Sequence, residues 1–262
     1  MTLREIPSGR LKLLGLAPDH RLAVSVSAYL HEGIQPNTIY MRKALSVMLA
    51  SPGRLDTIAR VPGGEAGLWV RFSGGSPNAF VDQGLPFAHH VLEAAGAAGS
   101  EYFALAEGIV DEIQYHDWTG VKRRVARRPE NAGIPLTDTD YARYVEDRMQ
   151  AARQAGRGSL AAVEQTIRDM IASLPAGHTM PTFDHLLSDV EGRIWLRDFV
   201  PFRSDELEGA WTVFGSDGFI ERRVFTPPGL EVMHVASEHV TGVERDSMGV
   251  EYVVVHRLER RK

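Results

Sequence analysis

No cysteine occurs in the 262 residues, which excludes a disulfide framework, a thiolate zinc site, an iron–sulfur cluster and a cysteine nucleophile. Long apolar runs are missing as well: none approaches the roughly 20 residues that a membrane-spanning helix needs. The opening stretch 1–7 has no basic segment followed by an apolar core, so no signal peptide is expected and the chain as written reads as cytoplasmic. Excess positive charge is absent too. With 29 Lys+Arg against 34 Asp+Glu the formal charge is −5, which argues against nucleic acid or an anionic lipid surface as partner. What remains is 44% hydrophobic and 24% charged, the balance of a globular protein able to bury a core.

Most of the chain reads as short strands separated by turns. Residues 11–16, 21–30, 37–49, 54–61 and 68–72 are β-branched, aromatic or alternating in character. Pro18-Asp19-His20 and Ser51-Pro52-Gly53 supply connections. Residues 101–106, 109–116 and 121–126 form a second meander around the turn Asp117-Trp118-Thr119-Gly120. Residues 182–188, 193–199, 210–214 and 219–226 form a third, with turns at Asp189-Val190-Glu191-Gly192 and Ser216-Asp217-Gly218. Residues 230–236, 239–243 and 250–258 close the chain. Tight turns between short strands argue for antiparallel meanders, and stacking such sheets radially gives a β-propeller.

Residues 136–174 break the pattern. Tyr141, Val145, Met149 and Ala152 make one helical stripe, and Leu160, Val163, Ile167, Met170, Ile171 and Leu174 make a stronger one. Thr137-Asp138-Thr139-Asp140 offers N-caps, Gly156-Arg157-Gly158 separates the pair and Ser159 can cap the second helix. A helical hairpin over 137–174 is therefore expected as an insertion in a single propeller domain spanning 1–262, packed on the propeller or on a second copy of itself.

The stretch Pro181-Thr182-Phe183-Asp184-His185-Leu186-Leu187-Ser188-Asp189-Val190-Glu191-Gly192-Arg193-Ile194-Trp195-Leu196 resembles a blade of bacterial six-bladed β-propellers related to the NHL-repeat group. Ala210-Trp211-Thr212-Val213-Phe214 and Val240-Thr241-Gly242-Val243-Glu244-Arg245-Asp246 carry the likeness onward. The resemblance implies a propeller and transfers no catalytic residue. It also implies a leader in an exported full-length form. At about 40 residues per blade, six blades and the insertion need more chain than is present. The meanders 11–61, 87–126, 182–226 and 230–258 point to four or five blades. In the last, Thr2–Ile6 is the expected outer strand; residues 62–86 are left over as a loop or a degenerate blade. Either the chain is such a short variant, or it is a member that has lost N-terminal blades and its signal segment, in which case an open edge invites pairing with another chain.

Chemistry is expected where inner strands line the channel. Phe87-Ala88-His89, Phe183-Asp184-His185 and Val232-Met233-His234 place a histidine after similar leads, so His89, His185 and His234 are candidate ligands of a divalent metal. Asp184, Glu65 and His90 are further ligands or bases. Gluconolactonase-type propellers, which hold Ca²⁺ with oxygen ligands, suggest a second set: Glu32, Asn37, Glu65, Asn78, Asp82 and Asp184. His31-Glu32-Gly33-Ile34-Gln35 fails as a zinc-protease helix for want of a second histidine, and Phe72-Ser73-Gly74-Gly75-Ser76-Pro77 is neither a nucleophile elbow nor a phosphate loop. Asp138 and Asp140 read as caps. Lys122-Arg123-Arg124 with Arg127-Arg128 read as a charged, solvated edge strand. Two functions follow: a binding or scaffold propeller recognising a protein or small ligand at its channel face, or a Ca- or Zn-dependent hydrolase of lactones or esters.

Overall fold

The computed structural model describes residues 9–29, 40–73, 76–83, 85–96, 100–108, 110–128, 133–156, 159–200 and 208–259. The first sheet runs in order through β1 (Gly9–Leu16), β2 (Leu22–Tyr29), β3 (Tyr40–Ser51), β4 (Arg54–Ser73) and β5 (Ser76–Gln83). The second holds β6 (Val91–Ala95), β7 (Tyr102–Glu107), β8 (Glu112–Asp117) and β9 (Lys122–Arg127). Two helices follow, α1 (Asp138–Gln154) and α2 (Leu160–Ala172). The third sheet comprises β10 (Phe183–Ser188), β11 (Ile194–Asp198), β12 (Gly209–Phe214) and β13 (Ile220–Thr226); the fourth comprises β14 (Glu231–Val235), β15 (His239–Arg245) and β16 (Glu251–Arg257). Every neighbouring pair is antiparallel, and the sheets form the four blades of a propeller arrangement. The strands β1, β6, β10 and β14 that open the blades lie successively against one another and form the inner edge.

Alternation along each strand builds the cores between blades. On β11, Trp195 faces the fourth blade, where it clusters with Trp211, Val213, Leu230, Val232, Val235 and Val240. Its neighbour Leu196 faces the second blade, among Ala104, Ala106, Ile113, Phe183, Leu186 and Phe214. Leu45 and Val47 of β3 meet Phe103 and Leu105 of β7 across the first junction, with Trp118 packed against them. Three of the four tryptophans thus pack between blades; the side chain of Trp69 lies outside the described residues.

The described residues of 62–86 form neither a loop across one face nor an extra blade. β4 continues through them and β5 pairs on its far side, so the first blade has five strands. Pro62-Gly63-Gly64 coincides with a register shift opposite Lys43, a bulge that interrupts the alternation without ending the strand. The fourth blade has three strands among the described residues and leaves β16 at its edge, with Tyr252, Val253 and Val255 exposed. Thr2–Ile6, expected to cover that edge, lie outside the described residues.

The helical hairpin stands where the periodicity placed it. Thr137 accepts from the Asp140 amide while the Asp140 carboxylate accepts in return from the Thr137 amide, a capping box, and Ser159 caps α2 through Ala162. Met149, Ile167 and Met170 bury against Leu85 and Ala88, and Phe87 meets Tyr141 edge-on, so the hairpin packs on the segment leading into β6. None of the described helices is long and apolar enough to cross a membrane.

The basic stretch of β9 is paired with acids. Arg123 bonds Asp117, Arg127 bonds Glu112, and Arg124 donates to the Ser216 carbonyl of the next blade. Arg128 departs furthest from the solvated reading: its side chain is 7% exposed and bridges Asp111, Asp198 and the Thr182 carbonyl.

Candidate metal centre

The bulge at Gly63-Gly64 sets the position of Glu65 on β4. Gly64 runs so close to the next blade that a Cβ there would stand 3.0 Å from the His89 carbonyl oxygen and 3.1 Å from the His90 Cα. This approach lets two backbones clasp reciprocally. The Glu65 amide donates to the His89 carbonyl at 2.9 Å, and the His89 amide donates to Glu65 Oε2 at 2.8 Å. His89 does not lie on an inner strand as expected. Phe87 adopts a left-handed φ of 52°, and β6 begins only at Val91, leaving His89 in the connection ahead of it.

Three side chains then converge. His89 Nδ1 lies 3.0 Å from Glu65 Oε2 and His178 Nε2 lies 2.9 Å from the same oxygen. The imidazole centroids are 4.7 Å apart. His178 comes from the turn between α2 and β10, held by a β-bridge between Pro135 and Thr179 and by the Met180 amide donating to the Ile134 carbonyl at 2.8 Å. Thr179 Oγ1 stands 3.2 Å from His89 Nε2. The Glu65, His89 and His178 side chains are 3%, 6% and 3% exposed. Burial pushes the Glu65 carboxyl up, but hydrogen bonds from His178, the His89 ring and the His89 amide outweigh it and hold the group well below the usual carboxylate range.

Of the sequence candidates, only Glu65 and His89 enter this cluster. Asp184 pairs with Arg197 at 2.6 Å. His185 lies edge-on to Trp211 at 5.7 Å, and burial with the nearby Arg197 charge lowers its pKa. His234 is exposed on β14. Among the described residues, Glu65, His89 and His178 are the three whose ligand atoms all lie within 4.8 Å of one another; His185, His234 and Asp184 do not join them. His90, next to His89, is outside the group as well. In the oxygen-ligand set, Glu65 and Asp184 have these separate partners, while Glu32 and Asn37 and the side chains of Asn78 and Asp82 lie outside the described residues. His178 was missed because it follows Pro175-Ala176-Gly177, a turn with no strand pattern around it. Only the return of the hairpin to the blade brings it near Glu65.

A second feature lies between the blades. A cavity of about 300 Å³ between the first two blades is lined by Leu11, Lys12, Ser25, Ser27, Leu45, Gly64, Val91 and Glu93. Lys12 Nζ stands 3.5 Å from Glu93 Oε1, and Ser25 Oγ donates to the same carboxylate at 2.9 Å. Gly64 lines this cavity, whereas Glu65, one residue on, is absent from the lining.

No protein-family model and no curated protein matches this chain. The structure shows a four-blade propeller arrangement, and no family match supports the resemblance to NHL-related propellers.

Proposed function

We propose that this chain is a binding propeller that takes a small polar ligand at its channel face, in the cavity between β1 and β6. The observation that supports this reading is the Lys12–Glu93 pair with Ser25 in a recess of about 300 Å³. That volume is at the small end of ligand pockets, and a few converging polar groups on apolar walls are their usual composition. Lys12 is 58% exposed at its side chain and can turn from Glu93 toward an incoming acid, whereas Glu93, 11% exposed, offers its carboxylate to an amine or hydroxyl. A ligand with both an acidic and a basic group, of the size of a free amino acid, matches this pair.

The test is calorimetric titration of free amino acids and, for comparison, monosaccharides against wild type, Lys12→Ala and Glu93→Gln. Binding by an amino acid that weakens about tenfold or more in both variants supports the reading; equal affinity in all three proteins, or no binding by any ligand, overturns it. A metal-dependent lactone or ester hydrolase is the second reading, favoured by the Glu65–His89–His178 donor set. It is the weaker one, since those side chains are buried and do not line this cavity.

A further inference from the structure

We propose that Glu65, His89 and His178 bind one divalent transition-metal ion of the zinc class, which clips the exit of the helical hairpin to the first two blades. The proposal does not depend on the channel-face ligand. It starts from the donor set. Two imidazole nitrogens and one carboxylate oxygen, from segments far apart in the chain, lie within 4.8 Å of one another. Such a nitrogen-rich set suits zinc and its neighbours better than magnesium or calcium, which take oxygen ligands almost exclusively.

The spacing fits. Zinc bonds to nitrogen and oxygen of about 2.0–2.2 Å place tetrahedral ligand atoms roughly 3.3 Å apart. The nitrogen–oxygen separations here are 3.0 and 2.9 Å, so modest side-chain rotations open the space an ion needs. The surroundings fit too. Metal-bound imidazoles characteristically hold a partner on the other ring nitrogen, and His89 Nε2 has Thr179 Oγ1 at 3.2 Å.

The carboxylate is the shared centre of the cluster. Glu65 Oε2 is approached at once by the His89 amide, His89 Nδ1 and His178 Nε2, so an ion beside it reaches both rings; His178 Nδ1, on the other side of its ring, has no hydrogen-bond partner among the described residues. With an ion between the rings and the carboxylate, the two ring contacts to Oε2 become coordination bonds and a water completes the fourth position. Because the three ligands tie β4, the entry to β6 and the exit of α2, the ion stabilises the folded arrangement over the unfolded chain.

The test uses the full chain, stripped with EDTA and dialysed, then titrated with Zn²⁺ by calorimetry and with Co²⁺ by visible absorption. One equivalent of Zn²⁺ is expected to bind and to raise the Tm, and Co²⁺ is expected to give the intense visible bands of a four-coordinate nitrogen–oxygen site. His178→Ala and Glu65→Gln should weaken binding at least about 100-fold, while His234→Ala, on the exposed face of β14, should leave it unchanged. Equal affinity in wild type and His178→Ala, or no rise in Tm, overturns the proposal. Should the ligand variants fail to fold, the wild-type Co²⁺ spectrum decides: four-coordinate bands support the site, and the weak spectrum of the hydrated ion refutes it.

Discussion

The Asp189 carboxylate accepts the Trp195 indole N–H at 2.8 Å and, through its other oxygen, the amides of Glu191 and Arg193 at 2.9 Å each. One side chain thus closes the β10–β11 turn and anchors the largest residue of the core between the third and fourth blades. Arg193 completes the arrangement at 2.6 Å. Asp189→Ala leaves the buried indole N–H and two turn amides without their acceptor and leaves Arg193 only its outer partner Glu191 at 2.9 Å, and is expected to cost about 3 kcal/mol. Asp189→Asn keeps an acceptor for the turn amides and should cost less. Urea unfolding followed by tryptophan fluorescence measures both; equal, small losses would contradict the anchoring role.

Arg128 joins Asp111 and Asp198 across the junction of the second and third blades, and Asp111 also accepts from Thr182 Oγ1 at 3.0 Å. Removing one member of a buried ion pair strands the other. Arg128→Ala is therefore expected to destabilise by about 3–5 kcal/mol, and Asp111→Ala, added to it, by clearly less than it costs alone. A double-mutant cycle on unfolding free energies checks this, and simple additivity would show that the pair is not coupled.

Two turn glycines share a left-handed conformation but not their surroundings. Gly120 has φ 87° and a Cβ there would overlap the Ile58 carbonyl of the first blade, whereas Gly249 has φ 79° with open space around it. Gly249→Ala should cost only the conformational term, about 1–2 kcal/mol. Gly120→Ala must also displace backbone at the blade junction and should lower the Tm much further. Thermal melts of the two variants side by side give the comparison; equal shifts would refute the close approach.

His185 carries a pH dependence. Burial, with Arg197 nearby, lowers its pKa below the ordinary imidazole value of 6.5; Asp184 and Glu231 oppose the shift and Lys12 adds to it. The folded state therefore binds a proton less readily than the unfolded chain. Its contribution to stability is fully present above about pH 6.5 and is lost as pH falls through the folded pKa. His116 is shifted the same way, chiefly by burial, so His185→Gln should flatten part of the slope below pH 6.5 and leave the rest. Unfolding free energies from pH 7.5 downward test it; an unchanged slope in the variant would assign the effect elsewhere.

The local elements were legible. Hairpin turns such as Asp117–Gly120 and Asp189–Gly192 announce themselves because an acceptor carboxylate and a glycine able to adopt positive φ suffice to reverse the chain within five residues. The hairpin stripes and their Thr137 and Ser159 caps were equally plain, since helix periodicity and capping are also short-range. Strand alternation was enough to group four meanders. The sequence by itself therefore determined most of the strands, their turns, the inserted helices and the blade class, but it missed β5 in the stretch 62–86 and expected an inner strand at Phe87-Ala88-His89 where β6 begins only at Val91.

Tertiary structure decided everything that depends on segments far apart in the chain. At Pro62-Gly63-Gly64 the local signal is a breaker, and only pairing with β3 and β5 keeps β4 whole. Arg128 reads as one more surface charge until Asp111 and Asp198 close over it. The equivalence expected of His89, His185 and His234 assumed that similar leads give similar settings; the left-handed Phe87 takes His89 off its strand, and Trp211 and solvent claim the other two. His178 meets Glu65 across 113 residues because the hairpin folds back on Leu85 and Ala88, and no periodicity in the intervening sequence records that return. Local pattern specifies which elements form; burial and the closure of long loops specify which of their side chains meet.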